Sequence, residues 1–232
     1  DQAAQAIENA KQYNNAINHL ERLRALHSID QAISSNLELK TTLGLLLDHL
    51  RLHLKIDAAM VWIYNQNLQR LSYSVGMGFL NENLHNTNLR LGQGVASQVA
   101  LKKRDIFISE LKQNEPGFSK YPKFHKEGFI SYYGIPIITS NELVGVLEDF
   151  QRTKLIMEGE NEEYLHMLAG QAAIAIDNFT LLEELQNSNL RLSEAYESTI
   201  EGWAHALEMK DIETQGHSRR VVELTVKLSQ MM

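Results

Sequence analysis

Hydrophobic residues recur every three or four positions at the start of the chain. Residues 2–35 contain neither glycine nor proline and predict one long helix with a thin apolar stripe of Ile7, Ala10, Ile17, Leu20 and Leu23. A second helix is predicted over 41–55, with a buried stripe of Leu43, Leu46, Leu47, Leu50 and Leu54. Because the first helix can bury little surface alone, we expect it to pair with a copy of itself or with the C-terminal helix.

Short runs rich in β-branched and aromatic residues follow. Residues 58–64 and 70–76 predict two strands, 92–109 a turn, a short helix and a brief strand, and 129–139 with 142–151 a hairpin. Residues 112–128 hold two of the three prolines and predict a long loop, a common place for binding elements. The helical spacing returns near Gly159 and continues to Met209. This order predicts an α+β fold with an antiparallel sheet and helices packed against it.

Single glycine and proline positions refine the strand predictions. Gly92 and Gly94 can take positive φ and turn the chain into the short helix. Pro136 has no N–H, so we expect it where the ladder needs no donor, at an edge or a bulge. Gly145 indicates a close approach of two backbones. We interpret these residues as structural and not chemical.

Composition and charge narrow the classes of function. The net charge of -7 argues against a general nucleic-acid or anionic-membrane surface. The absence of cysteine excludes disulfides, thiolate metal sites and a cysteine nucleophile. The cysteine-free composition suits a reducing cytosol, and no apolar run is long enough to span a bilayer, so a cytoplasmic protein without direct membrane insertion is predicted. The missing initial Met and the ending in mid-pattern indicate a fragment, which leaves open a membrane segment elsewhere in a parent protein.

The middle of the chain resembles a known family. Residues 36–180 resemble a GAF domain, the sensory module of phytochromes, cyclic-nucleotide phosphodiesterases and many bacterial signalling proteins. The matching segments are LRLGQGVASQVALKKRDIFIS, GFISYYGIPIITSNELVGVLEDF and LAGQAAIAIDNFTLLEEL. The resemblance implies a six-stranded antiparallel sheet with helices on both sides, and a cavity between sheet and loops for a small ligand. Without cysteine, bilin attachment is not expected. The chain also lacks the Asn-Lys-Phe-Asp-Glu set of the cyclic-nucleotide-binding members.

Aromatic and polar residues are predicted to face that cavity: Trp62, Tyr64, Phe79, Phe118, Tyr121, Phe124, His125, Tyr132 and Tyr133. An aromatic-lined cavity with a few polar groups is the usual form of a small-molecule site. The alternative is that these aromatics fill a core and the domain binds no ligand. Haem could bind through His125, although a lone loop histidine is usually solvated. His49 and His53 have metal-ligand spacing, but without an obvious third ligand they are predicted to lie on a solvated helix flank.

The C-terminal helix carries a heptad seam. Its members are Ile174, Asn178, Leu181, Leu185, Ser188, Leu192, Ala195, Thr199 and Gly202. We expect the part from 174 to 179 to pack on its own domain and the part beyond Leu185 to pair with another protomer. The polar and small residues of the second half weaken the seam, which suits a switch between two registers. The predicted assembly is a parallel homodimer bundled through the N- and C-terminal helices.

Residues 199–230 resemble the start of an HD-GYP domain, a branch of the HD metal-dependent phosphohydrolases. The matching words are ALEMKD, ET and GHSRRV. The resemblance implies a parent protein that hydrolyses cyclic di-GMP with a divalent metal centre of Fe or Mn. His217 matches the first metal-binding histidine, and Glu213 a position where some members place a carboxylate ligand. Because the other ligands would follow Met232, we expect no hydrolase activity and no cofactor in these 232 residues.

The predicted organisation has four parts: an N-terminal helix over 1–35, a GAF domain over 36–180, a linker helix over 181–208 and the start of an HD-GYP domain over 209–232. The predicted function is a dimeric sensory module that regulates a C-terminal cyclic di-GMP phosphodiesterase. The alternative is a ligand-free dimerisation spacer that transmits a signal from an upstream domain.

Overall fold

The computed structural model describes residues 2–34, 38–80, 87–112, 116–118, 121, 124–140, 142–155, 159–210 and 217–231. The helices are α1 (Gln2–Ser34), α2 (Leu39–Leu54), α3 (Val95–Lys102), α4 (Gly159–Lys210) and α5 (His217–Met231). The strands are β1 (Ala58–Asn65), β2 (Arg70–Met77), β3 (Asn88–Arg90), β4 (Ile106–Ile108), β5 (Ser131–Thr139) and β6 (Glu142–Gln151). Two 3-10 turns, Pro116–Phe118 and Phe124–Lys126, lie between β4 and β5. The chain divides into two units, Asp1–Phe179 and Thr180–Met232.

The first unit contains one six-stranded sheet in the order β3-β2-β1-β6-β5-β4. Every pairing is antiparallel, as the sequence predicts. The pattern of the chain did not reveal β3, because three residues are too few to show an alternation. Pro136 lies beyond Gly134, where the described pairing with β4 stops, and just before a bulge between Ile137 and Ile138. Its predicted place is therefore confirmed.

Helices and loops cover both faces of the sheet, and alternation along β1 assigns its residues to one face or the other. On the first face, Val61 packs with leucines of α2, including Leu46 and Leu50, and with residues of α4. On the second face, Met60 and Trp62 pack with α3 and the aromatic residues between β4 and β5. Burial of each leucine contributes about 2 kcal/mol to the hydrophobic stabilisation of the fold.

Two backbone features confirm predictions for glycine. A side chain at Gly145 would place its Cβ 2.4 Å from the backbone oxygen of Trp62, so β1 and β6 approach closely there. Gly94 has a φ of 86° and leads directly into α3. By contrast, α2 and α3 both end at a lysine in the left-handed conformation, Lys55 with φ 54° and Lys103 with φ 47°. Glycine is the usual residue at such helix ends.

The two long helices expose much of their predicted apolar stripes in the single chain. In α1, Ile29 and Ala32 are buried near α2, whereas Ile7, Leu20 and Leu23 of the predicted stripe are exposed. In α4, the expectation that the seam residues of 174–179 pack on their own domain is wrong. The helical period turns Ala172, Ala173 and Ile176 inward, and the same period turns Ile174 outward, where it is 48% exposed.

The second unit consists of the rest of α4 and α5. Leu185 and Leu192 of the predicted seam are 58% and 54% exposed. A cavity of about 240 Å³ in this unit is lined by Glu201, Ala204, His205, Arg219, Val222 and Glu223. Glu213 lies outside the described residues, as does the side chain of His217, the first residue of α5. Among the described helices, none is long and apolar enough to cross a membrane.

Candidate functional site

A buried carboxylate lies on the second face of the sheet. Glu148 is fully buried in β6, between Met60 of β1 and Gly134 of β5 in the strand ladders. Gly134 is needed at this position, because a Cβ there would lie 2.2 Å from the Tyr132 hydroxyl oxygen. The missing side chain of Gly134 gives the Tyr132 ring its space beside the acid.

Three donors converge on the Glu148 carboxylate. Trp62 donates its indole N–H to Oε2, and Tyr132 donates its hydroxyl to Oε1 at 2.8 Å. The Tyr121 hydroxyl oxygen lies 2.8 Å from Oε2 and 3.0 Å from Oε1. An ionised carboxylate without such donors would cost several kcal/mol at this depth. We call Glu148, Trp62, Tyr121 and Tyr132 the Glu148 cluster.

Burial controls the titration of the cluster. It raises the pKa of Glu148 to about 7, although the hydrogen bonds from Trp62, Tyr121 and Tyr132 lower it. Burial and the charge of Glu148 also raise the pKa of both tyrosines well above their ordinary value. The tyrosines therefore remain donors, and the acid is poised between its two forms near neutral pH.

Aromatic rings pack around the Glu148 cluster. Phe118 stacks on Phe124 with ring centroids 4.4 Å apart, and Phe150 contacts both rings at 5.8 and 5.7 Å. Phe79 meets Phe150 edge to face at 5.6 Å, and Phe129 lies 5.0 Å from Phe150. Among the described residues, these rings pack directly against one another beside Glu148.

Arg152, just after β6, connects the segment over the cluster to the sheet. Its Nε donates to the Glu127 backbone oxygen at 2.9 Å, and its guanidinium carbon lies 4.7 Å from the centroid of the Phe129 ring. Its backbone N–H donates to Asp57 at 2.7 Å. The buried Glu127 carboxylate in turn accepts the Leu80 N–H. Arg152 thus links β1, the loop before β5 and the end of β6.

Most of the predicted pocket residues meet at this cluster. Six of them surround or belong to it: Trp62, Phe79, Phe118, Tyr121, Phe124 and Tyr132. Tyr64 packs at its border and lines a separate cavity of about 300 Å³ with Leu91 and Leu101. The side chain of His125 lies outside the described residues.

Tyr133 is a correction to the predicted pocket. It follows Tyr132 in β5 and therefore lies on the opposite face, where its hydroxyl donates to Asp105. Glu148, Phe129 and Phe150 also lie at this site, although the sequence pattern did not predict them there. An acid inside the apolar run VGVLEDF was the signal that could have identified Glu148.

His49 and His53 lie side by side on α2. Their rings stack with centroids 6.2 Å apart, and His53 meets Tyr164 edge to face at 5.5 Å. His49 Nε2 lies 2.8 Å from the Ser28 hydroxyl of α1, and burial, followed by the nearby His53, lowers the pKa of His49. Both residues are half-buried, so the predicted solvated flank is wrong.

The fold and this interior site can be compared with known proteins. The GAF domain family matches residues 38–176, more than half of the chain. This chain belongs to the GAF domain family. It therefore carries a regulatory domain of the kind found in signalling proteins.

Individual relatives of this GAF protein are distant. Nitrogen fixation protein AnfA of Azotobacter vinelandii is 23% identical over 183 residues, which are 75% of this chain and 34% of AnfA. The chain thus spans about a third of the length of that relative. The GAF domain from an Acinetobacter phosphoenolpyruvate-protein phosphotransferase is 18% identical with a TM-score of 0.59, covering 70% of this chain and 97% of that one. The GAF domain/HD domain protein from Geobacter sulfurreducens is 12% identical with a TM-score of 0.53, covering 64% and 98%.

Proposed function

We propose that this chain is the sensory part of a bacterial signalling protein, in which the GAF domain binds a small ligand at the Glu148 cluster. Two copies pair through α1 and α4, and the pair regulates a cyclic di-GMP phosphodiesterase of the HD-GYP type. The observation that carries the proposal is the burial of Glu148 under three donors.

Burial of a carboxylate destabilises a folded domain. A domain that served only as a spacer between two other domains would gain nothing from it. Replacement of a buried ionic group by apolar residues is often neutral or stabilising, so a pure spacer gains no stability from Glu148. Groups whose pKa is strongly shifted by burial concentrate at binding and catalytic sites. Glu148, with a pKa raised to about 7, is such a group.

The chemistry of the cluster defines a class of ligand. A carboxylate accepts hydrogen bonds or pairs with a cation, and aromatic faces attract flat rings and organic cations. The expected ligand is therefore a small molecule with N–H donors on a planar or cationic group. It would take over the hydrogen bond that Tyr121 makes with Glu148.

The described residues between β4 and β5 would have to shift for a ligand to reach Glu148. Phe118, Tyr121 and Phe124 all belong to this segment, and Arg152 holds its last part through Glu127. Arg152 also follows the last residue of β6, and α4 begins shortly afterwards at Gly159. Displacement of the segment would change the contacts that Arg152 makes with Glu127 and Phe129. The change would thus reach the chain that leads from β6 into α4.

Two further observations support the proposed dimer and its regulation of an HD-GYP phosphodiesterase. Residues 199–230 resemble the start of an HD-GYP domain, and the Geobacter sulfurreducens relative is named as a GAF domain/HD domain protein. The exposed leucines at 181, 185 and 192 of α4 are at the spacing that a paired helix needs. The divalent metal, Fe or Mn, would belong to the parent enzyme. Turnover of cyclic di-GMP by residues 1–232 with added Mn²⁺ or Fe²⁺ would contradict this assignment.

Thermal-shift screening tests the ligand part of the proposal. A panel of nucleotides, haem and small metabolites is added to the wild-type chain, to Glu148→Gln and to Glu163→Gln, an exposed matched control on α4. We expect one compound class to raise the Tm of the wild type and the control, because a ligand that binds only the folded state stabilises it by mass action. The shift should be lost in Glu148→Gln.

The second candidate is the ligand-free dimerisation spacer. The close packing of Phe118, Phe124 and Phe150 favours it, because these described rings contact one another beside the cluster as a hydrophobic core would. No Tm shift with any compound, together with a dimer in solution, would support the spacer.

A further inference from the structure

A second group of ionisable residues lies on the opposite face of the sheet from Glu148. Asp105 lies just before β4, at the edge of the sheet, while Glu162 and His166 lie one helical turn apart near the start of α4. One ligand atom from each residue, a carboxylate oxygen or a ring nitrogen, lies within 4.8 Å of the others. Asp105 Oδ2 is 2.9 Å from His166 Nε2. Three residues from two elements thus converge on one point.

The spacing suits a metal ion. Zinc binds carboxylate oxygen and imidazole nitrogen at about 2.0–2.2 Å, so tetrahedral donors lie roughly 3.3–3.6 Å apart. The separations in the group, from 2.9 Å up to 4.8 Å, bracket that distance. Small rotations of the half-exposed Glu162 and His166 side chains would bring all three donors to it. Glu162 and His166 are also four residues apart on one helix, so they share a face.

The hydroxyl of buried Tyr133 contacts this group from the core side. Tyr133 is buried and donates to Asp105 Oδ2 at 2.7 Å, and its oxygen lies 3.4 Å from Glu162 Oε1. A hydrogen bond from a buried group that fixes a ligating carboxylate is the usual support of metal sites in proteins.

Charge distinguishes a metal site from a simple ion pair. An ion pair of Asp105 with His166 needs no second carboxylate, yet Glu162 brings another negative charge to the same point. Two carboxylates this close repel each other, and a divalent cation between them removes that repulsion. Two oxygen donors with one imidazole are suited to Zn²⁺, Mn²⁺ or Fe²⁺.

We propose that Asp105, Glu162 and His166 bind a divalent transition-metal ion, with Tyr133 as a positioning residue for Asp105. The ion joins the β4 edge of the sheet to the first turns of α4. A bound ion therefore stabilises the contact between the sheet of the GAF domain and the first turns of α4. This inference is independent of a ligand at the Glu148 cluster, because the two sites lie on opposite faces.

Calorimetric titration of the metal-free chain with Zn²⁺ and Mn²⁺ tests the proposal. We expect one ion per chain in the wild type and at least tenfold weaker binding in His166→Gln and in Asp105→Asn. His53→Gln is the matched control, since His49 and His53 are the other histidines of the sensory unit with ligand spacing, and it should keep the wild-type affinity. Binding that is absent in the wild type, or unchanged in His166→Gln, overturns the site.

Two more measurements separate the site from folding defects. Co²⁺ bound to the wild type should give visible absorption of a low-symmetry site, and this signal should disappear in Glu162→Gln, whose exposed position leaves the fold intact. Tyr133→Phe should keep one ion per chain, weaken its binding and shift the Co²⁺ spectrum. An unchanged affinity and spectrum in Tyr133→Phe would remove its positioning role, and an unchanged Co²⁺ spectrum in Glu162→Gln would overturn the site.

Discussion

Tyr132 and Tyr133 are neighbours in β5, yet their hydroxyl groups donate to acids on opposite faces of the sheet. Tyr132 reaches Glu148 among the aromatic rings, and Tyr133 reaches Asp105 beside the start of α4. A slip of β5 by one residue would exchange the two faces and destroy both hydrogen bonds. The register of β5 therefore fixes the geometry of the proposed ligand site and of the proposed metal site together.

The titration of Glu148 predicts a pH-dependent stability. Its folded pKa of about 7 lies above the ordinary 4.5, so the folded state binds the proton more tightly than the unfolded state. The resulting stabilisation is fully present below pH 4.5 and is lost as the pH rises to 7. Between these values the free energy of unfolding of the wild type should fall by roughly 3 kcal/mol more than that of Glu148→Gln.

Urea denaturation at pH 4.5, 6 and 8 measures this difference. Glu163→Gln, which removes an exposed carboxylate from α4, should follow the wild type at every pH. Parallel curves for the wild type and Glu148→Gln would show that Glu148 titrates normally.

Asp149 predicts a gain in stability. It is buried on the first face of the sheet, and neither carboxylate oxygen has a hydrogen-bond partner among the described residues. Burial raises its pKa well above the ordinary value. Because an unpaired buried charge is costly, Asp149→Asn should raise the free energy of unfolding by about 1–3 kcal/mol at pH 8. The gain should be smaller at pH 5, where less of the ionisation cost is incurred.

Chemical denaturation of Asp149→Asn at both pH values checks this, with Asp30→Asn on the exposed side of α1 as its control. A loss of stability at pH 8 would mean that the Asp149 carboxylate has a favourable partner.

Gly145 predicts a packing defect. A Cβ at this position meets the Trp62 backbone oxygen at 2.4 Å and an Ile137 methyl group at 3.3 Å, so β1 and β6 must separate to accept it. Gly145→Ala should cost about 2 kcal/mol of folding free energy and should perturb the fluorescence of Trp62.

Gly170 provides the matched substitution inside α4. Nothing lies within 4 Å of an added Cβ there, so Gly170→Ala should stabilise the helix by about 0.5–1 kcal/mol. Thermal unfolding of the two variants should therefore shift the Tm in opposite directions, and equal shifts would refute the close approach at Gly145.

The proposed pairing of α4 predicts the oligomeric state. Leu185 and Leu192 occupy the seam and are exposed in the single chain, so Leu185→Glu with Leu192→Glu should place charges in the interface and give monomers. Gln186→Glu with Ser193→Glu adds the same charges one residue outside the seam and should leave a dimer. Light scattering at micromolar concentration measures both. A monomeric wild type would refute the pairing.

The sequence predicted secondary structure correctly where the repeat of apolar positions extended over many residues. The 52 residues of α4 and the hairpin of β5 and β6 have repeating apolar positions, and their predicted extents agree with the structure to within a few residues. The three-residue β3 has no period of its own, since its pairing with β2 is decided by distant chain segments.

The candidate sites were harder to predict than the fold. Aromatic residues pointed to the region around Glu148 because they are bulky and concentrated in a few segments. They could not show which face Tyr133 takes, since that depends on the register of β5. The group of Asp105, Glu162 and His166 was not predicted, because Asp105 is distant in sequence from the other two and only folding of β4 against the helix brings them together.

Lys55 and Lys103, which end α2 and α3 in the left-handed conformation, have a practical consequence for all of these measurements. Lysine tolerates that conformation poorly, so glycine at either place would relieve local strain on the surface of the domain. A variant with both Lys55→Gly and Lys103→Gly should have a higher free energy of unfolding than the wild type. Substitutions at the buried acids could then be compared in fully folded samples, even if the same substitutions would partly unfold the wild-type chain.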